Sequence, residues 1–221
     1  MDFLAVHSLL LREPNLLLPL LDLSNINRRD SELYQNKILD NHQHLVLSDS
    51  GKLIHIVKGK LLQQINNAGQ KKQTVNAIWM ENDFIFHNVF HNDEYEYVAL
   101  GSVELAIYDA KTVLQELSQQ PFFPDLLIDI LKRQEFHFYR YSHMLTQSTQ
   151  ERVIDMIKLL SKKGDGGYHI PKLVNYLLLS KCCQISPHTA KKVVSELELE
   201  GRIMMKRGQS ILVYDSDDSG L

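Results

Sequence analysis

The chain has 221 residues, of which 44% are hydrophobic and 23% charged, and its formal net charge is −3. That length holds one or two domains with a real core, and the composition excludes a disordered chain, a collagen-like repeat and a disulfide-stapled miniprotein. Cys182 and Cys183 are adjacent and cannot form a disulfide framework. Met1-Asp2-Phe3 lacks a basic start, and the apolar run Leu16 to Leu23 is cut by Pro19 and Asp22. Neither a signal peptide nor a membrane-spanning helix fits, so the chain reads as cytoplasmic.

Residues 1 to 40 are leucine-rich with breaks at Pro14 and Pro19, which predicts one or two short helices. From residue 42 the character changes. Leu45-Val-Leu, Lys52 to Lys58 and Lys60 to Ile65 are short β-compatible runs, the last two separated by Gly59. Asn66-Asn-Ala-Gly-Gln70 supplies residues that tolerate positive φ in a hairpin loop, and Thr74 to Met80 follows as the return strand. Tyr95 to Leu100 and Val103 to Tyr108 complete a set of strands expected to form a sandwich or small barrel.

Asp109 to Gln119 reads as a short helix. Pro124 then opens a long one running to Leu145, since proline is tolerated in a first turn. Leu127, Leu131, Gln134, Phe138, Tyr141 and Leu145 recur at alternating spacings of four and three, a coiled-coil-like seam. Phe136 and Tyr139 lie off that seam, so the expectation is a helix that packs on a partner subunit and on its own β-domain at once. Ser148-Thr-Gln-Glu151 has capping-box spacing and starts another helix. Val153, Ile154, Met156, Ile157 and Leu160 turn inward, and the helix stops at the flexible turn Gly164-Asp-Gly-Gly167.

Ile170 to Tyr214 carries the most information. Pro171 to Ser180 is a helix pattern, Lys181 to Ile185 a short break containing both cysteines, and Ser186 to Leu199 a second helix with Ser186 as N-cap and Pro187 at the first helical position. Helix, tight turn, helix is the arrangement that places the start of its second helix in the major groove of DNA. Arg202 to Lys206 and Ile211 to Tyr214, joined by the turn Arg207-Gly-Gln-Ser210, read as a wing. On the second helix Ala190, Val193, Val194 and Leu197 take inward spacings, and His188, Thr189, Lys191, Lys192 and Ser195 face out. These outward residues offer donors and cations to phosphates and base edges. Lys206 and Arg207 add positive charge on the wing.

The stretch Ser186-Pro-His-Thr-Ala-Lys-Lys-Val-Val-Ser-Glu-Leu-Glu-Leu-Glu-Gly-Arg-Ile203 resembles the recognition helix and following turn of the Crp/Fnr family of bacterial transcription regulators. Ile54-His-Ile-Val-Lys-Gly59-Lys resembles a strand of that family's cyclic-nucleotide-binding β-roll, Glu81-Asn-Asp-Phe-Ile85 its Gly-Asp-Phe-Ile turn, and Pro124-Asp-Leu-Leu the opening of its dimer helix. By this resemblance Thr189 touches a phosphate. Pro187 and Lys192 stand where the family commonly has arginines, and His188 where it often has glutamate. Proline cannot supply the bidentate fork that reads guanine, so the operator is expected to differ from the family's usual half-site.

The family's cyclic-nucleotide pocket uses a glycine-rich turn, a glutamate and an arginine. The matching stretch, Phe84 to Tyr97, has no glycine or arginine and would set Asp93, Glu94 and Glu96 against a phosphate, so cyclic AMP is not the expected effector. An iron–sulfur cluster of the family's kind needs several cysteines, mostly near the N-terminus, and none precedes Cys182. His42-x-His44 resembles the start of a metal-cupin signature, but Leu45-Val-Leu-Ser48 follows in place of the expected glutamate. His87 and His91 would suit a ligand pair only on a helix. No metal and no cofactor are therefore expected. Cys182 and Cys183 are expected to be small fillers of the helix-turn-helix.

The expected fold class is α+β: an N-terminal antiparallel, cupin-like β-roll with flanking helices over residues 1–119, a dimerisation helix over 120–147, and a C-terminal winged helix-turn-helix with an acidic tail over 148–221. The expected function is sequence-specific transcription regulation of the Crp/Fnr type. A homodimer would bind double-stranded DNA at a palindromic operator, with RNA polymerase as a further partner if it activates and any small-molecule effector unidentified. The competing readings are a cupin-like small-molecule binder or enzyme with a structural C-terminal domain, and a winged helix that binds protein. Charge supports the first reading. Residues 1–147 carry 13 Lys/Arg against 18 Asp/Glu, and 148–221 carry 11 against 9, so the average of −3 hides a basic C-terminal part.

Overall fold

A computed structural model describes residues 34–47, 51–65, 74–89, 95–119, 121, 123–206 and 208–213. The chain divides into two compact units, residues 1–66 with 77–140 and residues 67–76 with 141–221.

The first unit is built on antiparallel strands β1 (Tyr34–Leu39), β2 (His44–Leu45), β3 (Lys52–Ile65), β4 (Thr74–Met80), β5 (Phe84–His87) and β6 (Tyr95–Asp109). The sheet order is β1-β6-β3-β4, with β2 also on β6 and β5 also on β3. β3 and β6 pair along nearly their whole lengths, with register shifts between Ile56 and Lys60. Leu39, Leu45, Ile54, Ile56, Leu61, Ile85, Tyr97, Ala99, Val103, Leu105 and Ile107 fill one core cluster between these strands. Helix α1 (Ala110–Ser118), capped by Asp109, adds Val113 and Leu117 to a second cluster with Leu53, Phe84 and Tyr108. Helix α2 spans Phe123–Thr146 and contributes Ile130 to that cluster.

Two expectations are corrected here. Residues 34–39 form β1 and are not helical: they pair with Val103 to Tyr108, and Leu39 is wholly buried. An open edge of β6 supplies partners that a leucine-rich pattern cannot reveal; the rest of the expected N-terminal helix region lies outside the described residues. Gly59 and Gly101 do not end strands but bend them, with φ of 96° and 83°. A Cβ at Gly59 would meet the Ser102 carbonyl oxygen at 2.6 Å, so the close crossing of β3 on β6 requires glycine. The Asn66 to Gln70 loop lies outside the described residues, but β3 and β4, which it joins, are neighbours in the sheet.

The second unit holds α3 (Thr149–Leu160), β7 (Lys162–Gly164), β8 (Gly167–Ile170), α4 (Tyr176–Cys183), α5 (Pro187–Leu199), β9 (Ile203–Lys206) and β10 (Gln209–Leu212), with sheet order β7-β8-β10-β9. Both arms of the capping box form: the Ser148 hydroxyl accepts from the Glu151 amide, and the Glu151 carboxylate accepts from the Ser148 amide at 2.8 Å. Gly164 to Gly167, expected as a flexible turn, instead closes the β7–β8 hairpin. Gly167 lies so close to Leu212 that a Cβ would sit 2.2 Å from its carbonyl oxygen. No helix among the described residues is long and apolar enough to cross a membrane.

Candidate nucleic-acid interface

Helix α4 starts at Tyr176, five residues after the expected Pro171, because the Asn175 side chain accepts from the Leu178 amide at 2.9 Å and sets the N-cap there. The helix also runs past the expected end at Ser180. Cys182 and Cys183 therefore occupy its last turn rather than the break, and both are buried. The break is Gln184, held in the left-handed region at φ 54°. Its side-chain amide donates to the hydroxyl of Tyr141, a residue expected on the dimer seam and half-buried here. Burial pushes the Tyr141 hydroxyl pKa up, so it stays protonated. Arg152 on α3 donates to the Gln147 carbonyl at 3.0 Å and to the Cys183 carbonyl at 3.5 Å, which ties the end of α4 to the start of α3.

Helix α5 is assembled as its sequence dictates. The Ser186 hydroxyl accepts from the Thr189 amide at 3.0 Å and contacts the Thr189 hydroxyl at 2.8 Å, while Pro187 occupies the first turn. Ala190, Val193, Val194 and Leu197 are buried. Ser186, Pro187, His188, Lys191 and Lys192 are exposed or nearly so, and Thr189 and Ser195 half-buried. Lys192 lies 3.7 Å from Glu196 across one helical turn. With both groups well exposed, that pair is weak and yields readily to a stronger anion. Lys206 is exposed on β9, opposite Gln209 across a tight turn in which Gly208 has φ 76°. Arg207 lies outside the described residues.

The structure thus brings Ser186, Pro187, His188, Thr189, Lys191, Lys192 and Ser195 onto one helix and places Lys206 on the adjoining hairpin. Its chemistry suits an anion: imidazole, ammonium and hydroxyl groups around a Ser186-capped helix N-terminus, where the helix dipole puts partial positive charge. The anchors Arg152 and Gln184 were not foreseen. Neither has a local sequence signal, since Arg152 reaches a carbonyl remote in the chain and glutamine is an unusual left-handed cap.

The seam residues Leu127, Leu131, Phe138 and Leu145 are 39%, 63%, 72% and 40% exposed, and Gln134 is exposed too. The histidines weighed as metal ligands do not converge. His42 sits in a turn at φ 65°, and His44 lies 3.8 Å from Glu96 with its side chain 55% exposed. His87 ends strand β5, buried with its ring edge-on to Tyr97 at 5.7 Å, and His91 lies outside the described residues. Among the described residues no group of three or more His, Cys, Asp or Glu could hold a metal ion.

No protein-family model matches the sequence, and no curated protein does. Solved structures do. A cyclic nucleotide-binding domain containing protein from Listeria monocytogenes EGD-e is 16% identical with a TM-score of 0.71, covering 89% of this chain and 97% of its own. The c-di-GMP responsive global regulator CLP of Xanthomonas campestris is 16% identical with a TM-score of 0.62, covering 83% and 96%. A transcriptional regulator of the CRP family from Thermus thermophilus is 12% identical with a TM-score of 0.64, covering 80% and 92%. At these identities the likeness is one of fold. The chain has the architecture of the Crp/Fnr-type regulators: an antiparallel β-roll, a long helix and a C-terminal helix-turn-helix.

Proposed function

We propose that this protein is a sequence-specific, DNA-binding transcription regulator that acts as a homodimer on a palindromic operator. The observation that carries the reading is α5: a capped helix with its inner face sealed and its N-terminal outer face presenting His188, Lys191 and Lys192. Its first turns enter the major groove, where His188 reaches base edges and Lys191, Lys192, Ser186 and Thr189 meet phosphates. Pro187 fixes the entry angle, Ser195 lies further along the groove, and Lys206 and Arg207 bring the wing to the backbone.

The second copy follows from α2. Leu127, Leu131, Phe138 and Leu145 expose a mainly apolar stripe at heptad spacing, with Gln134 and the half-buried Tyr141 in the same register, which a two-fold partner covers with the same residues. Such a dimer spaces its two α5 helices by one turn of DNA, ~34 Å. Residues 1–119 then act as the sensor-like part, 120–147 as the dimer helix and 148–221 as the head. An effector is not cyclic AMP, since no arginine or glycine-rich turn stands in Phe84 to Tyr97, and an activator of this kind would also touch RNA polymerase. Fold relatives that are regulators point away from an enzyme.

A fluorescence-anisotropy titration against a pool of genomic duplexes at two salt concentrations tests the reading. Binding should weaken steeply with salt. Lys192→Ala should flatten the salt slope by about one ion, and His188→Ala should relax the preference among sites at a cost of about 1–3 kcal/mol. Absence of binding at low salt would remove the proposal.

A further inference from the structure

Within the first unit, helix α2 meets the β4–β5 turn through one compact cluster. Asp83 closes that turn: its Oδ2 accepts from the Met80 amide at 2.7 Å, and its main-chain carbonyl accepts from the Ile56 amide at 3.0 Å. Its Oδ1 accepts from Arg133 Nη1 of α2 at 3.2 Å. One turn further along α2, His137 Nε2 lies 3.8 Å from Asp83 Oδ2. The His137 ring packs against the indole of Trp79, centroids 4.1 Å apart, and the indole N–H donates to Gln63 Oε1 at 2.8 Å. The side chains of His137, Asp83 and Arg133 are only 13%, 18% and 18% exposed, so water screens this cluster little.

We propose that His137 is a proton-operated latch, holding α2 on the β4–β5 turn when its imidazole is neutral and loosening that contact when it is protonated. A neutral ring lies against the indole face and requires no counter-ion. A proton added to the ring creates a charge in a poorly hydrated place, beside two cations of its own helix, Arg133 and Arg140. Arg140 is held close by stacking over Phe136, 4.6 Å from the ring centroid. The opposing acid is Asp83, already engaged by Arg133 and the Met80 amide. Strand β4 contributes Trp79, which brings no charge. Burial pushes the His137 pKa below its ordinary 6.5, the two arginines add to this, and Asp83 opposes it without winning. The sign follows from linkage. A base with a lowered native pKa binds fewer protons folded than unfolded, so the contact is fully stable above the ordinary value and weakens as pH falls through it toward the native value.

Trp79 is the single tryptophan among nine tyrosines, so fluorescence excited selectively at tryptophan reports this joint. In the full-length protein, titration from about pH 8 to about pH 5 should quench the emission in one step with a midpoint below the ordinary histidine value, while helical circular dichroism stays level. His137→Phe should abolish the step. Should that variant fail to fold, Arg140→Gln removes a repelling charge and should move the midpoint to higher pH. A flat trace in the wild type, a step that survives His137→Phe, a midpoint unmoved in Arg140→Gln, or quenching that tracks loss of helical signal would each overturn the latch. None of these readouts involves DNA, so the outcome is independent of the regulator reading.

Discussion

Among the described residues, the buried polar side chains of the first unit are His55, Gln63, Gln64, His87 and Asp129, whereas those of the second are Ser161 and Ser180. The β-roll thus places titratable groups against aromatic rings: His55 stacks on Phe84 with centroids 4.5 Å apart, His87 meets Tyr97 edge-on, and His137 packs on Trp79. The head does the reverse, burying Leu197, Ile157, Cys182 and Cys183 and leaving His188, Lys191, Lys192 and Lys206 outside. A buried ionisable group is sensitive to its surroundings in charge state, while a close-packed apolar core holds the side chains on its surface in place. The first unit thus buries imidazole and carboxyl groups where the second, among the described residues, does not.

The contrast can be broken most forcefully in the core of the head. Leu197→Ala empties a position with no exposed surface under α5 and should cost about 2–5 kcal/mol, read as a lower urea midpoint. A cost under about 1 kcal/mol would mean that the head is not close-packed. A smaller effect is expected at the start of α4: Asn175→Ala removes the cap on Leu178 and should cost about 1 kcal/mol. An unchanged midpoint would restore the earlier helix start at Pro171. The smallest effect concerns the thiols. Burial pushes Cys182 far up and Cys183 to about 12, so the reactive thiolate is scarce at neutral pH. Folded protein should resist alkylation over hours, and both cysteines should react once urea unfolds it. Rapid native labelling would contradict the sealed core and reopen a redox role.

Local signals carried much of this fold. Ser186 with Pro187 and the Ser148–Glu151 capping box act within a few residues, so their helices were legible in starts and inward faces. The same holds for the α5 residues of the candidate interface, whose spacing alone sets them outward from Ala190, Val193, Val194 and Leu197. What was not legible depends on contacts between distant segments. Gly59 looks like a strand terminator because glycine favours turns, yet here it lets β3 bend across Ser102. Tyr34 to Leu39 becomes a strand because β6 offers an edge. Tyr141 fits the heptad seam, and only the fold shows Gln184 reaching it. The Asp83, Trp79 and His137 cluster joins a turn, a strand and a helix with no shared motif.

The central claim is that the outer face of α5 reads DNA, and anisotropy of a selected duplex with wild-type, His188→Ala and Lys192→Ala proteins tests it most directly. Wild-type protein should bind the selected site in the nanomolar range, with a Kd of the order of 10⁻⁸ M. Lys192→Ala should show lower affinity and a flatter salt slope, and His188→Ala a narrowed gap between selected and random duplex. Equal affinities and equal salt slopes for all three proteins would contradict the claim.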